Sequence, residues 1–175
     1  MRDTRVLVAH ASKHGSTAEI AEAVGETLGR EGLEVDVVPA GRVKDIGPYR
    51  AVVLGSAVYM TRWQKDGVRF LKRFRRQLAE RSVWVFQSGP LNDSADEKLT
   101  VEPPPRVAKL ASAIDARGIV QFGGRLREET PGFVAGAMAK KGMSGDWRNW
   151  DRIHAWGRGI AHELAEEAPG IARPA

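Results

Sequence analysis

Short apolar runs alternate with amphipathic helical segments along the whole chain, and this alternation restricts the fold more than any other feature. The continuous apolar runs at 6–9, 51–57 and 83–86 are typical of strands covered on both faces. Residues 33–38 alternate apolar with charged side chains, which predicts a half-exposed strand at the edge of a sheet. Residues 118–124 complete a set of five predicted strands.

Helical periodicity fills the intervals between these strands. Helices are predicted over 17–30, 65–81 and 103–117, and from 146 or 147 to 166. Crossover connections between parallel strands are right-handed, and helices must cover both faces of such a sheet. The sequence therefore predicts an α/β fold with a doubly wound five-stranded parallel sheet in the strand order 2-1-3-4-5. No linker interrupts the pattern, so we expect a single domain over residues 1–175.

The composition excludes several kinds of chemistry. The 175 residues include no cysteine, which rules out disulfides, thiolate metal sites and thiol catalysis. The four histidines include no HExxH motif, so no metal site is expected. No apolar stretch approaches the ~20 residues that span a bilayer, and the first residues do not resemble a signal peptide. A cytoplasmic location is the resulting expectation.

The positive charge of the chain is concentrated in one segment. The formal net charge is +5, and the segment 65–81 carries seven Lys or Arg residues against two acids. This pattern fits the solvated face of an amphipathic helix. It also fits a docking surface for a membrane, an acidic protein or a carboxylate-bearing substrate. No nucleic-acid-binding motif accompanies the charge, so nucleic acid is not expected as a partner.

A loop of small and hydroxylic residues follows the first predicted strand. It runs from His10 to Thr17, where the first helix is predicted to begin. Such a loop directs unpaired backbone N–H groups and hydroxyls toward one point, which suits a phosphate. Gly15 permits a positive φ or a close approach. The loop is neither GxxxxGK[ST] nor GxGxxG, which disfavours ATP and dinucleotides. An ordinary Ser/Thr-rich helix cap is the alternative.

Two further loops follow the third and fourth predicted strands. They comprise residues 55–63 and 88–93, and both combine small residues with a flexible backbone. Ligands of doubly wound sheets bind where the winding reverses, at the carboxyl ends of the strands. Tyr59 and Trp63 in the first of these loops are placed to cover a flat ring, or else they only pack against the sheet.

Together these loops resemble the flavodoxin family, whose [ST]-x-T-G-x-T phosphate loop is similar to residues 12–17. His14 departs from that motif and removes one hydroxyl. The resemblance implies a flavodoxin-like fold with FMN as the cofactor. It implies that the FMN phosphate is held by Ser12, Lys13, His14, Gly15, Ser16 and Thr17, and that the flavin ring is flanked by Ser56, Ala57, Val58 and Tyr59 and by Ser88, Gly89, Pro90 and Leu91.

The segments 55–59, 122–126 and 138–145 resemble one branch of that family, the bacterial menaquinone-dependent protoporphyrinogen dehydrogenases. The resemblance implies an FMN-dependent oxidoreductase that oxidises protoporphyrinogen IX and passes electrons to a membrane quinone, with peripheral contact at the inner face of the cell membrane. Arg125–Gly145 corresponds to the insertion of that branch. The alternative is an FMN electron-transfer protein that docks on a redox partner through residues 65–81. The sequence identifies no catalytic residue and no oligomeric state.

Overall fold

The computed structural model describes residues 4–89, 103–126 and 145–168, which form an α/β arrangement. The strands of this part are β1 (Arg5–Ala11), β2 (Glu34–Pro39), β3 (Ala51–Tyr59), β4 (Arg62–Trp63), β5 (Ser82–Ser88), β6 (Ile119–Phe122), β7 (Arg125–Leu126) and β8 (Gly145–Asp146). Its α-helices are α1 (Ser16–Arg30), α2 (Lys65–Arg73), α3 (Arg75–Leu78), α4 (Pro105–Ala113) and α5 (Trp150–Glu167).

Five parallel strands form the main sheet in the order β2-β1-β3-β5-β6. The predicted order 2-1-3-4-5 is confirmed, because β4 is only a two-residue antiparallel partner of the end of β3. Every residue of β2 is at least partly accessible, as expected of an edge strand whose apolar residues alternate with charged ones. The same doubly wound parallel sheet is the flavodoxin-like fold.

Alternate residues of the central strands belong to two separate hydrophobic cores, one on each face of the sheet. Val6 and Val8 of β1 pack with α1 and α5 on one face of the sheet. Leu7 and Ala9 pack with α2, α3 and α4 on the other face. Successive side chains of a strand point to opposite faces, so a strand that is apolar at every position has helices on both sides.

The structure corrects three predicted helix boundaries. The helix predicted over 65–81 is broken at Phe74, whose backbone leaves helical geometry (φ −101°, ψ 13°) while its ring packs 5.0 Å from that of Phe70. The helix predicted over 103–117 covers only Pro105–Ala113, and Asp115 beyond it has a φ of 53°. The last helix begins at Trp150, where the side chain of Asn149 caps it by accepting a hydrogen bond from the N–H of Arg152.

The two ends of the segment Arg125–Gly145 meet beside the end of β6. They pair as the antiparallel strands β7 and β8, and residues 127–144 lie outside the described part. Trp147 then donates a backbone hydrogen bond to the carbonyl of Gly124 at 3.0 Å. A Cβ on Gly123 would lie 1.9 Å from the carbonyl oxygen of Trp147, so only glycine fits this close approach.

Candidate functional site

A cleft of about 90 Å³ lies at the carboxyl edge of the sheet, beside the ends of β1, β3 and β5. The three predicted loops all contribute to it. Its lining consists of Ser12, Lys13, His14, Ser16, Thr17, Ala57, Val58, Tyr59, Gln64, Ser88, Gly89, Gly124 and Arg125. The structure thus brings together most of the residues that the flavodoxin resemblance assigned to FMN.

The loop between β1 and α1 is held in shape by a hydrogen bond within it. Gly15 adopts a φ of 85°, and its N–H donates to Ser12 Oγ at 2.9 Å. This turn places the first turn of α1, which begins at Ser16, at the wall of the cleft. The N–H groups of a first helical turn have no carbonyl one turn earlier to bind, and the helix dipole adds positive potential there. Both features favour an anion.

Several polar atoms in or beside the cleft are buried without a hydrogen-bond partner. Within the described part of the chain these include Ser16 Oγ, Thr17 Oγ1, Tyr59 Oη and both ring nitrogens of His14. Leaving a buried donor unpaired costs about 1–3 kcal/mol. A ligand that presents several acceptor oxygens to these donors removes that cost. A phosphate group therefore fits this donor set.

His14 and Lys13 flank the ring of Tyr59. Lys13 Nζ lies 5.3 Å from the ring centroid, and the imidazole of His14 meets the ring edge at 6.4 Å between centroids. Burial, together with the charge of Lys13, lowers the pKa of His14 below its usual value of 6.5. At pH 7 His14 is therefore neutral and has one N–H to donate. It can replace one hydroxyl donor of the family motif.

A cluster of two arginines and two carboxylates fixes β7 and β8 to the first turn of α1. Arg125 Nη2 lies 2.9 Å from Glu19, and Arg148, whose side chain is 3% exposed, binds both Glu19 and Asp146. Burial alone would raise the pKa of Glu19, but hydrogen bonds from both arginines outweigh it and lower that pKa. The Arg148 hydrogen bond likewise lowers the pKa of Asp146. The cluster holds Arg125 at the cleft.

Some residues assigned to the site lie elsewhere. Ser56 is fully buried, where its hydroxyl donates to the carbonyl of Ala57 at 3.1 Å and accepts from the N–H of Gln64 at 3.2 Å. Gly15 shapes the loop without lining the cleft. Pro90 and Leu91 lie outside the described residues.

Trp63 does not line this cleft, which agrees with the alternative that it only packs against the sheet. It is 6% exposed, and its indole N–H donates to Gln87 Oε1 at 2.9 Å. The turn before it, at Met60 and Thr61, has φ values of 47° and 61° and leaves Met60 69% exposed. This tight turn directs Tyr59, rather than Trp63, toward the cleft.

Gln64 and Gly124 line the cleft although the sequence analysis did not assign them. Gly124 follows the last strand of the sheet, so its position at a carboxyl end was an available signal. Gln64 precedes α2, and no sequence pattern marks it. Gly89 occupies the cleft with a φ of 120°, and a Cβ there would lie 3.2 Å from the carbonyl oxygen of Val58.

Among the helices of the described residues, none has the length and apolar character that crossing a bilayer requires.

The fold and the cleft define a class, that of flavodoxin-like α/β proteins with a loop of small and hydroxylic residues between the first strand and the first helix. Comparison with protein families agrees, since a model described as "Flavodoxin domain" matches residues 7–149. The chain belongs to the flavodoxin domain family. No curated protein matches the sequence.

Solved structures share the fold at low sequence identity. Flavodoxin 2 from Bacillus cereus is 18% identical with a TM-score of 0.60, and the match covers 94% of this chain and 99% of that one. A point mutant of flavodoxin from Pseudomonas aeruginosa is 16% identical with a TM-score of 0.60, covering 92% and 99%. The rubredoxin oxygen:oxidoreductase from Desulfovibrio gigas is 12% identical with a TM-score of 0.65, over 95% of this chain. The chain spans only 37% of that last protein.

Proposed function

We propose that this chain binds FMN in the cleft and acts as an FMN-dependent oxidoreductase. The observation that carries the proposal is the pair of buried hydroxyls without partners, on Ser16 and Thr17, at the N-terminus of α1. Bound FMN would supply the redox chemistry.

The residues of the chain would bind and orient the cofactor. Ser12–Thr17 would hold the phosphate, while Ala57–Tyr59 and Ser88–Gly89 would flank the flavin ring, with Pro90 and Leu91 next to them in sequence. The cleft, of about 90 Å³, is smaller than the ~300–1,000 Å³ of typical small-molecule pockets, and it is partly open. Part of the flavin would therefore extend beyond it.

As substrate we propose a tetrapyrrole of the protoporphyrinogen type, with a membrane quinone as the electron acceptor. The cationic surroundings support an anionic substrate, because Lys13 lines the cleft and Arg62 is exposed beside it. The basic residues also suit peripheral contact with the inner face of a cell membrane.

The alternative is an electron-transfer protein that docks on a redox partner. Its support is the row of exposed cations on α2 and α3, formed by Lys65, Arg69, Lys72, Arg75 and Arg76. Charged patches of this kind steer association with a partner of opposite charge.

Anaerobic mixing separates the two functions. The FMN-loaded protein is mixed with protoporphyrinogen IX and a water-soluble menaquinone analogue, and porphyrin formation is followed by fluorescence, with flavin-free protein as the control. Turnover that requires FMN supports the oxidoreductase. Reduction of the loaded protein by a flavodoxin reductase, without any turnover of protoporphyrinogen, would support the carrier and contradict the enzyme.

A further inference from the structure

A second, larger depression adjoins the cleft on the other side of Lys13 and Tyr59. We call it the basic groove. It has a volume of about 470 Å³ and lies between the β1–α1 loop and the start of α2. Ser12, Lys13, Tyr59 and Gln64 line both the cleft and the groove. The two spaces are therefore neighbours that share a wall.

The charge of the groove is strongly one-sided. Its lining carries the cations Lys13, Arg62, Lys65 and Arg69 against one carboxylate, Asp66. Asp66 lies 3.6 Å from Arg69 and so offsets only that cation. Within the described part of the chain, Arg62 and Lys65 have no carboxylate within ion-pair distance. Cations gathered in a concave surface raise the local concentration of anions.

The volume of the groove is large enough for a small molecule. Its volume falls within the ~300–1,000 Å³ of small-molecule sites. Tyr59 is among its lining residues, and an aromatic side chain offers apolar surface to the body of a ligand. A membrane would contact the exposed cations of α3, Arg75 and Arg76, as readily as those of the groove, which are also exposed.

We propose that the basic groove binds the carboxylate groups of an organic polyanion and so presents that molecule to the adjacent cleft. This inference rests on the proposed function, from which it takes the class of substrate. It assigns the recognition of the substrate's carboxylate groups to Arg62 and Lys65.

The test compares two double variants that remove the same charge. R62Q/K65Q removes the two unpaired cations of the groove, whereas R75Q/R76Q removes two exposed cations of α3 outside it. The probe is coproporphyrin III, a water-soluble tetracarboxylic porphyrin, and its binding is followed by fluorescence anisotropy. A porphyrin with four N-methylpyridinium groups is the ligand control. FMN affinity is measured for every variant.

The account predicts that R62Q/K65Q binds coproporphyrin roughly 5- to 20-fold more weakly, since each exposed charge pair contributes a fraction of the interaction. R75Q/R76Q should bind as the wild type does, and the cationic porphyrin should not bind. Equal losses in both variants, or no coproporphyrin binding while anionic lipid vesicles recruit the protein, would overturn the inference. FMN affinity is measured separately from porphyrin binding. A protein that binds coproporphyrin but not FMN would therefore contradict the proposed function without contradicting the proposed role of the groove.

Discussion

At the residue scale, Thr17 and Thr27 are both buried threonines of α1, but they differ in the hydrogen bonding of their hydroxyl groups. Thr17 is 1% exposed and its hydroxyl has no partner within the described residues. Thr27 is 4% exposed, and its hydroxyl donates to the carbonyl of Ala23 at 2.9 Å and lies 2.7 Å from His154 Nδ1. The two hydroxyls are similarly buried, but only that of Thr27 is paired within the described residues. If the proposed function is correct, the hydroxyl of Thr17 binds a ligand, whereas that of Thr27 stabilises the fold.

Thr17→Val should therefore leave the flavin-free protein as stable as the wild type or more stable, because it removes an unsatisfied buried group. It should weaken FMN binding by about tenfold or more, since a hydrogen bond to a charged group contributes about 1.5–3 kcal/mol. Urea unfolding without flavin and fluorescence titration with FMN measure the two effects.

Thr27→Val is the matched control. It should cost about 1–2 kcal/mol of stability, because it removes a satisfied buried hydrogen bond. The FMN affinity of this variant should stay unchanged, since Thr27 does not line the cleft. If Thr17→Val lowered stability as much as Thr27→Val does, the hydroxyl of Thr17 would stabilise the fold rather than bind FMN.

At the element scale, the edge strand β2 packs against α1 at a glycine. A Cβ on Gly25 would lie 2.5 Å from Val37 Cγ2, whereas a Cβ on Gly29, one turn later, meets nothing within 4 Å. Gly25→Ala should cost about 1–3 kcal/mol through overpacking. Gly29→Ala should stabilise by up to about 1 kcal/mol through helix propensity. Urea unfolding of both variants measures the contrast, and equal effects would contradict the packing of β2 on α1.

The arginine cluster joins a second pair of elements, β7–β8 and α1. Arg148 lowers the pKa values of Glu19 and Asp146 below their ordinary 4.5 and 3.8. A lowered carboxyl pKa contributes stability that is present above the ordinary pKa and is lost as the pH falls through the folded value. Arg148→Met should thus lower stability at pH 7 by about 1–3 kcal/mol and flatten the loss of stability below about pH 4.5.

Unfolding by urea between pH 2 and pH 7 measures this dependence on pH. Arg158→Met, at an exposed position of α5, is the control and should keep the wild-type profile. If Arg148→Met showed the same slope below pH 4.5 as the wild type, the cluster would not be the source of the acid sensitivity.

At the scale of the whole molecule, the strand order was predictable because each of the three central strands contains a continuous apolar run and the edge strand alternates. Local patterns of that kind report burial directly. The break at Phe74 was not predictable, since Val68, Leu71, Phe74 and Leu78 fit one continuous helical face and only tertiary packing of the Phe74 ring ends it.

The candidate site likewise has features that the sequence predicts and features that depend on tertiary contacts. The loop at 12–17 was predictable from small and hydroxylic residues placed between a strand and a helix. The buried role of Ser56 was not predictable, because it depends on Gln64, whose position comes from tertiary pairing. Packing was one of two roles open to Trp63, and its hydrogen bond to Gln87 favours that role. The assignment of single residues to FMN and the single domain over 1–175 both stay predictions.

The central claim is that the first turn of α1 and the loop before it bind the phosphate of FMN. Calorimetric titration of the flavin-free protein with FMN, and separately with riboflavin, tests it most directly because the two ligands differ only in that phosphate. We predict that FMN binds at least about a hundredfold more tightly than riboflavin, equivalent to ~2.7 kcal/mol. Equal affinities for the two, or no binding of FMN at saturating concentration, would contradict the account.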